Sequence, residues 1–275
     1  MFYVVTFVMA LMSISLKFTT IYKYVAYPAL GAFFYFMPLF FFEDSGQIRQ
    51  GMSIAILVFS FRYIASRNLF MFLIFIYLAL GFHKTAIVFI PAYWLVKIPM
   101  NRARIFTVIV ISILLSPFEV YRLLGGILDG LAAQDVSQGF DAYVDDSVYG
   151  QSLGFGLSDI IKIIFIIILL LYDKAAEEKV YYYEYMRNLA VIGLCMFYVL
   201  RGNTIFAVRL PGVYLFFLSV FVIPNIVYAV KDSVKRVLHM GLSLYLFLMY
   251  FNFSRGNGLA GRFTTDRYNN VLLKR

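Results

Sequence analysis

Apolar runs follow one another along almost the whole of this chain. Phe2–Leu16, Tyr24–Phe42, Gly51–Ala65, Ile105–Phe118, Leu157–Tyr172, Leu189–Leu200, Leu210–Val230 and Val237–Phe253 are parted mostly by short polar stretches. A helix needs roughly 20 apolar residues to cross a hydrocarbon core, and in lipid a segment must satisfy its own backbone hydrogen bonds. The expected fold is therefore all-α: a polytopic integral membrane helical bundle of about 8–10 transmembrane segments, one or two of them broken or re-entrant. One transmembrane domain is expected over residues 1–275, with a long outer loop at 119–159 and a polar basic tail at 254–275. Composition agrees, because 62% hydrophobic residues against 14% charged exceeds the share a water-soluble globule carries.

Several function classes drop out. The net charge of +9 comes from cations scattered singly or in twos and threes, with no basic stripe, so nucleic acid is not an expected partner. The single cysteine, Cys195, lies inside an apolar run and reads as packing. His83 and His239 show no metal-ligand spacing, so neither a metal nor another cofactor is expected. The first run lacks a basic leader and a small-residue cleavage site and reads as a membrane segment. It begins so abruptly that residues upstream of Met1 are expected.

Placing Lys17 and Lys23, Arg62 and Arg67, Lys97 with Arg102 and Arg104, Lys174 with Lys179 and Arg187, and Lys231 with Lys235 and Arg236 in the cytoplasm satisfies the positive-inside rule. Glu43–Arg49, Glu119–Asp159 and Arg201–Arg209 then fall outside. The side of the tail stays open: counting helices puts it outside, its cations inside. Leu69–Val96, basic at both flanks, splits at Gly81-Phe82-His83-Lys84 into two runs, each short for a full span. That pattern fits a re-entrant hairpin or broken helices, or else two ordinary helices joined by a short outer turn.

The long loop carries Asp129, Asp135, Asp141, Asp145, Asp146 and Asp159 against one Arg122, with Tyr143 and Tyr149 among them. Carboxylates accept sugar hydroxyls and tyrosines stack on sugar rings, so the loop reads as a carbohydrate platform or, failing that, as a solvated tether. Arg49, His83, Lys84, Arg201 and Arg209 all fall near the outer side, where cytoplasmic bias does not explain them. Arginine's planar fork matches phosphate oxygens, and the group suits a lipid-linked diphosphate. Snorkelling to headgroups is the alternative for Arg49 and Arg209. Candidates for acid/base work are His83, Glu43, Asp44 and the loop aspartates; imidazole titrates near neutrality and suits a base, while on its own His83 reads rather as a histidine bonded to a neighbouring helix carbonyl. His239 reads as an interface residue.

The succession IRQGMSIAILVFSFRYIASRN, FLIFIYLALGFHKTAIVFIPAYWLV and RLPGVYLFFLSVFVIP resembles the EpsG family of bacterial membrane proteins, relatives of the Wzy-type polymerases of exopolysaccharide, capsule and O-antigen assembly. The marks are Arg49-Gln50-Gly51 opening one helix, Phe82-His83 closing an apolar run, and Arg209 before a helix rich in Tyr and Phe. The resemblance spans roughly residues 1–230. Family members usually carry a further N-terminal part, a helix and an outer loop with Asp and Tyr residues, that is not present here.

The resemblance implies a metal-independent glycosyltransferase in the bacterial cytoplasmic membrane, moving an oligosaccharide from polyprenyl diphosphate onto another lipid-linked repeat unit. Arg49, Lys84, Arg201 and Arg209 would bind diphosphate and His83 would be the base. Glu43, Asp44, Asp141, Tyr143, Asp145, Asp146 and Tyr149 would contact sugar. Partners would be the lipid-linked oligosaccharides, the bilayer, a flippase and chain-length regulators. The alternatives are a lipid-linked oligosaccharide flippase or transporter, which should show paired halves, and a membrane acyltransferase decorating the polysaccharide.

Overall fold

The computed structural model describes residues 2–120, 122 and 151–254. Those residues form helices and turns: α1 (Phe2–Tyr24), α2 (Pro28–Phe34) running into a π-helical stretch Tyr35–Ser45, α3 (Ile48–Ala65) and α4 (Leu69–Phe82). A 3₁₀ segment, Lys84–Phe89, and α5 (Ala92–Leu95) precede α6 (Arg102–Leu115). Then come α7 (Leu157–Lys179), α8 (Tyr183–Val199), α9 (Thr204–Arg209), α10 (Gly212–Phe216) continued through π-helical Phe217–Val222 into α11 (Ile223–Ala229), and α12 (Asp232–Ser254).

Among the described residues, two helices are long and apolar enough to cross a membrane, Val4–Tyr24 and Gly212–Ala229, while Pro28–Phe41, Leu69–Phe82 and Lys84–Leu95 are apolar but shorter. Burial separates centre from periphery. α3 is buried around most of its circumference, and Phe217, Phe221, Val222 and Ile223 are sealed. A helix apolar and buried all round is a core helix. The outer helices turn large apolar side chains outward, with Phe7 68%, Phe70 71%, Tyr77 77% and Leu114 65% exposed. An apolar exterior of that extent fits a lipid-facing surface better than water.

Two local features shape the bundle. Met37 has extended dihedrals (φ −122°, ψ 114°) in front of Pro38, as the residue before a proline prefers, and this kinks the second helical element. Asn225, fully buried, accepts from the Ala26 amide (2.7 Å) and donates to the Tyr24 carbonyl (3.1 Å). It thereby satisfies the backbone where α1 breaks into α2.

The run from Leu69 to Val96 is a broken hairpin. His83 leaves the helical region (φ −152°, ψ 130°), and the chain returns as 3₁₀ helix and turns instead of a second full helix. Both feet meet: the Tyr93 hydroxyl donates to the Arg67 carbonyl (2.7 Å) and Arg67 Nη1 donates back to the Tyr93 carbonyl. His83 is the apex. The Tyr214 hydroxyl pins the returning limb through the Val88 carbonyl (2.7 Å), and Asn188 holds its exit through the carbonyls of Val96 and Ile98 (2.8 Å each).

Three of the cations expected on one side, Lys23, Arg62 and Lys179, line a common cavity. Lys17 does not join them, which corrects its placement as a cytoplasmic flank. It is fully buried and bonds Asp44 Oδ2 at 2.6 Å and Glu43 Oε2 at 3.4 Å. An ammonium held in an apolar interior needs a countercharge, and α1 finds one in the end of the kinked second element. For the same reason Glu43–Arg49 is not the open loop expected: the helix runs on through Ser45, leaving only Gly46 and Gln47 before α3.

Candidate functional site

Three elements bring Arg49, His83 and Arg209 together at the end of the bundle opposite the Lys23–Arg62–Lys179 cavity. Arg49 stands in the first turn of α3, and its Nε donates to the Phe82 carbonyl at 3.2 Å, tying that turn to the hairpin apex. Gln50 Nε2 donates to the Arg209 carbonyl at 3.3 Å, tying the same turn to the end of α9. Gly51 lets the same turn close on the end of the kinked second element, because a Cβ there would meet the Glu43 carbonyl oxygen at 2.8 Å and Asp44 Oδ1 at 3.1 Å. The Ser53 hydroxyl adds a bond to the Ala79 carbonyl (3.1 Å), one turn below the apex.

His83 lies between helices, half-buried. Its Nδ1 is 2.7 Å from Thr85 Oγ1 and receives the Thr85 amide at 3.3 Å. With Nδ1 accepting there, the neutral ring carries its proton on Nε2; the other tautomer, with Nδ1–H donating to the Thr85 hydroxyl, gives up the amide contact and leaves the Nε2 lone pair free to take a proton. Lys84 is exposed beside the apex. Arg209 is the last residue of α9 and half-buried; it does not open a helix as expected, because Pro211 caps the next one at Gly212.

The remaining expected residues are elsewhere. Arg201 is engaged by Asp159: Nη2 reaches Oδ2 at 3.1 Å, Nη1 pairs with Oδ1, and Nη2 also donates to the Gly154 carbonyl (2.9 Å). Asp159, expected in the outer loop, is instead buried in the first turn of α7, where it accepts from the Gly156 amide (2.9 Å). Helix rise gives relative heights. Arg49 stands roughly 20 Å along α3 from Arg62, whereas Asp159 stands roughly 30 Å along α7 from Lys179. The Arg201–Asp159 pair is therefore about 10 Å further out than the arginine–histidine cluster.

Asp44 is buried and committed to structure. Besides Lys17 it accepts from the Tyr35 hydroxyl (2.9 Å) and the Ser13 hydroxyl, which leaves little capacity for a sugar. Glu43 also turns toward Lys17. Both are thereby moved from sugar contact to support. Asp141, Tyr143, Asp145, Asp146 and Tyr149 lie outside the described residues. His239 Nδ1 donates within its own helix to the Lys235 carbonyl (3.0 Å), and the ring packs on Tyr27.

Sequence reasoning missed Gln50 and Lys17. Gln50 is buried, and its Oε1 has no hydrogen-bond partner beside the cluster. A buried unmatched acceptor next to two arginines is a ready contact for a ligand hydroxyl. Its position inside Arg49-Gln50-Gly51 was the available signal. Lys17 offered none, as its partners are far away in sequence.

No curated protein and no solved structure matches this chain. The profile of the EpsG family matches residues 1–264, nearly the whole chain. The chain belongs to the EpsG family, which associates this helical protein with membranes and exopolysaccharide biosynthesis.

Proposed function

We propose that the protein is a multi-pass polysaccharide polymerase of the bacterial cytoplasmic membrane, transferring a polyprenyl-diphosphate-linked oligosaccharide onto another lipid-linked repeat unit. The observation that carries this reading is the convergence of Arg49 and Arg209 on His83 at the hairpin apex. With Lys23, Arg62 and Lys179 at the inner headgroups and a core of about 30 Å, the cluster is recessed roughly 10 Å below the outer boundary. That depth suits a diphosphate whose prenyl tail stays in lipid.

In the transfer, the acceptor sugar hydroxyl attacks the anomeric carbon of the donor. One glycosidic bond forms, the anomeric carbon–oxygen bond to diphosphate breaks, and the electron pair leaves with the phosphate. In the tautomer that carries its proton on Nδ1, His83 Nε2 takes the hydroxyl proton, and Arg49 and Arg209 stabilise the charge that develops on the departing diphosphate. Lys84, exposed at the apex, adds to the positive field at the entrance. Arg201, held by Asp159 further out, serves the sugar-bearing side more than the diphosphate. The O-antigen, capsule or exopolysaccharide identity of the polymer depends on the repeat unit supplied.

Deletion of the gene and complementation with wild type, Arg49→Ala, His83→Ala or Arg209→Ala tests this reading, with each protein verified in the membrane. Single repeat units on lipid in place of long chains are expected from the variants. Long chains made without the gene refute the polymerase, and repeat units trapped on the inner leaflet indicate a flippase instead.

A further inference from the structure

The cavity at the other end of the bundle, about 620 Å³, is not used by the transfer. It is lined by Lys23, Arg62 and Lys179, one cation from the last turn of each of three helices, and by tyrosines including Tyr24 and Tyr182. Among the described residues no carboxylate lines it. Cations at helix C-termini are ordinary, since each end carries about half a negative charge. Three such ends offset only about half of three full positive charges, so the cavity stays positive.

Arg62 differs from a flanking cation that snorkels into solvent. Its guanidinium carbon lies 3.4 Å from the centre of the Phe59 ring, and Nε donates to the Phe59 carbonyl (3.3 Å). Nη2 is buried without a hydrogen-bond partner. A guanidinium fixed in place is preorganised as a positive charge for an oxyanion, and rigid placement reduces the entropy lost on binding. Lys179 is fixed likewise, by the Ala229 carbonyl at 2.8 Å.

We propose that this cavity is a phosphate-binding site, distinct from the Arg49–His83–Arg209 cluster and roughly 20 Å from it along α3. Its ligand is a phosphate carried either by an inner-leaflet lipid headgroup or by a soluble molecule. The cavity is larger than phosphate alone and leaves room for the group that bears it.

The test is thermal unfolding of the full chain in phosphatidylcholine nanodiscs. In one arm pyrophosphate is added; in the other, part of the phosphatidylcholine is replaced by phosphatidylglycerol. A saturable rise of about 5 °C is expected. Its appearance with pyrophosphate assigns a soluble source, with phosphatidylglycerol a lipid source, and with both the phosphate itself. Arg62→Gln should abolish the rise, whereas Lys97→Gln, which removes an exposed cation outside the cavity, should keep it. Should Arg62→Gln fail to fold, Lys179→Gln replaces it with the same expectation. Absence of a rise in both arms, or a rise unchanged by loss of the cavity cation, overturns the proposal.

Discussion

Replacing Lys17 with methionine should be among the most damaging single changes in this protein. Lys17 is fully buried, bonds Asp44 at 2.6 Å and Glu43 at 3.4 Å, and lies over the rings of Tyr35 (5.1 Å) and Phe216 (5.6 Å). Methionine keeps the shape and removes the charge. Asp44 retains the hydroxyls of Ser13 and Tyr35, but two carboxylates are left within the bundle without their cation. Breaking a buried pair from one side costs about 3–5 kcal/mol, whereas removing both charges together is often nearly neutral. Lys17→Met should therefore lower the unfolding midpoint in detergent by on the order of 10 °C. Lys17→Met with Asp44→Asn should recover more than half of that loss. Because Glu43 and Asp44 abut Gly51, the single variant should also misplace Arg49 and shorten the polymer, and the double variant should partly restore its length. Thermal unfolding of the four proteins forms a double-mutant cycle. A single variant as stable as wild type, or a double variant no better than the sum of the singles, refutes the ion-pair reasoning.

Other expectations follow from the same geometry. Gly51→Ala, with its Cβ 2.8 Å from a backbone oxygen, should cost about 1–3 kcal/mol in denaturation and lose long chains. Arg201→Ala strands Asp159, which is 2% exposed, and should destabilise more than the Arg201→Ala, Asp159→Ala double variant; equal midpoints would count against the pair.

The sequence is most legible where polarity interrupts hydrophobicity. His83 and Lys84 stand amid apolar residues, and the helix breaks at His83, whose ring caps the returning limb by accepting the Thr85 amide. Arg49-Gln50-Gly51 reads as a helix opening, and its glycine proves to be a close-approach position. The reading fails where a partner is remote. Lys17 has the look of a flanking cation until Asp44 folds back onto it. Arg201 has the look of a free cation until Asp159 arrives on another helix. The π-helical stretch Tyr35–Ser45 has no periodicity of its own, and the long acidic loop offers composition without position. Remote pairing is set by packing of whole helices, which local patterns do not encode.

The most direct measurement uses purified protein reconstituted with polyprenyl-diphosphate-linked repeat units alone, without nucleotide sugar or added metal. The account predicts a ladder of lipid-linked oligomers, one free polyprenyl diphosphate released per linkage formed, and loss of both in Arg49→Ala, His83→Ala and Arg209→Ala. Repeat units that remain monomeric with the folded wild-type protein, or a ladder unchanged in those variants, would contradict it.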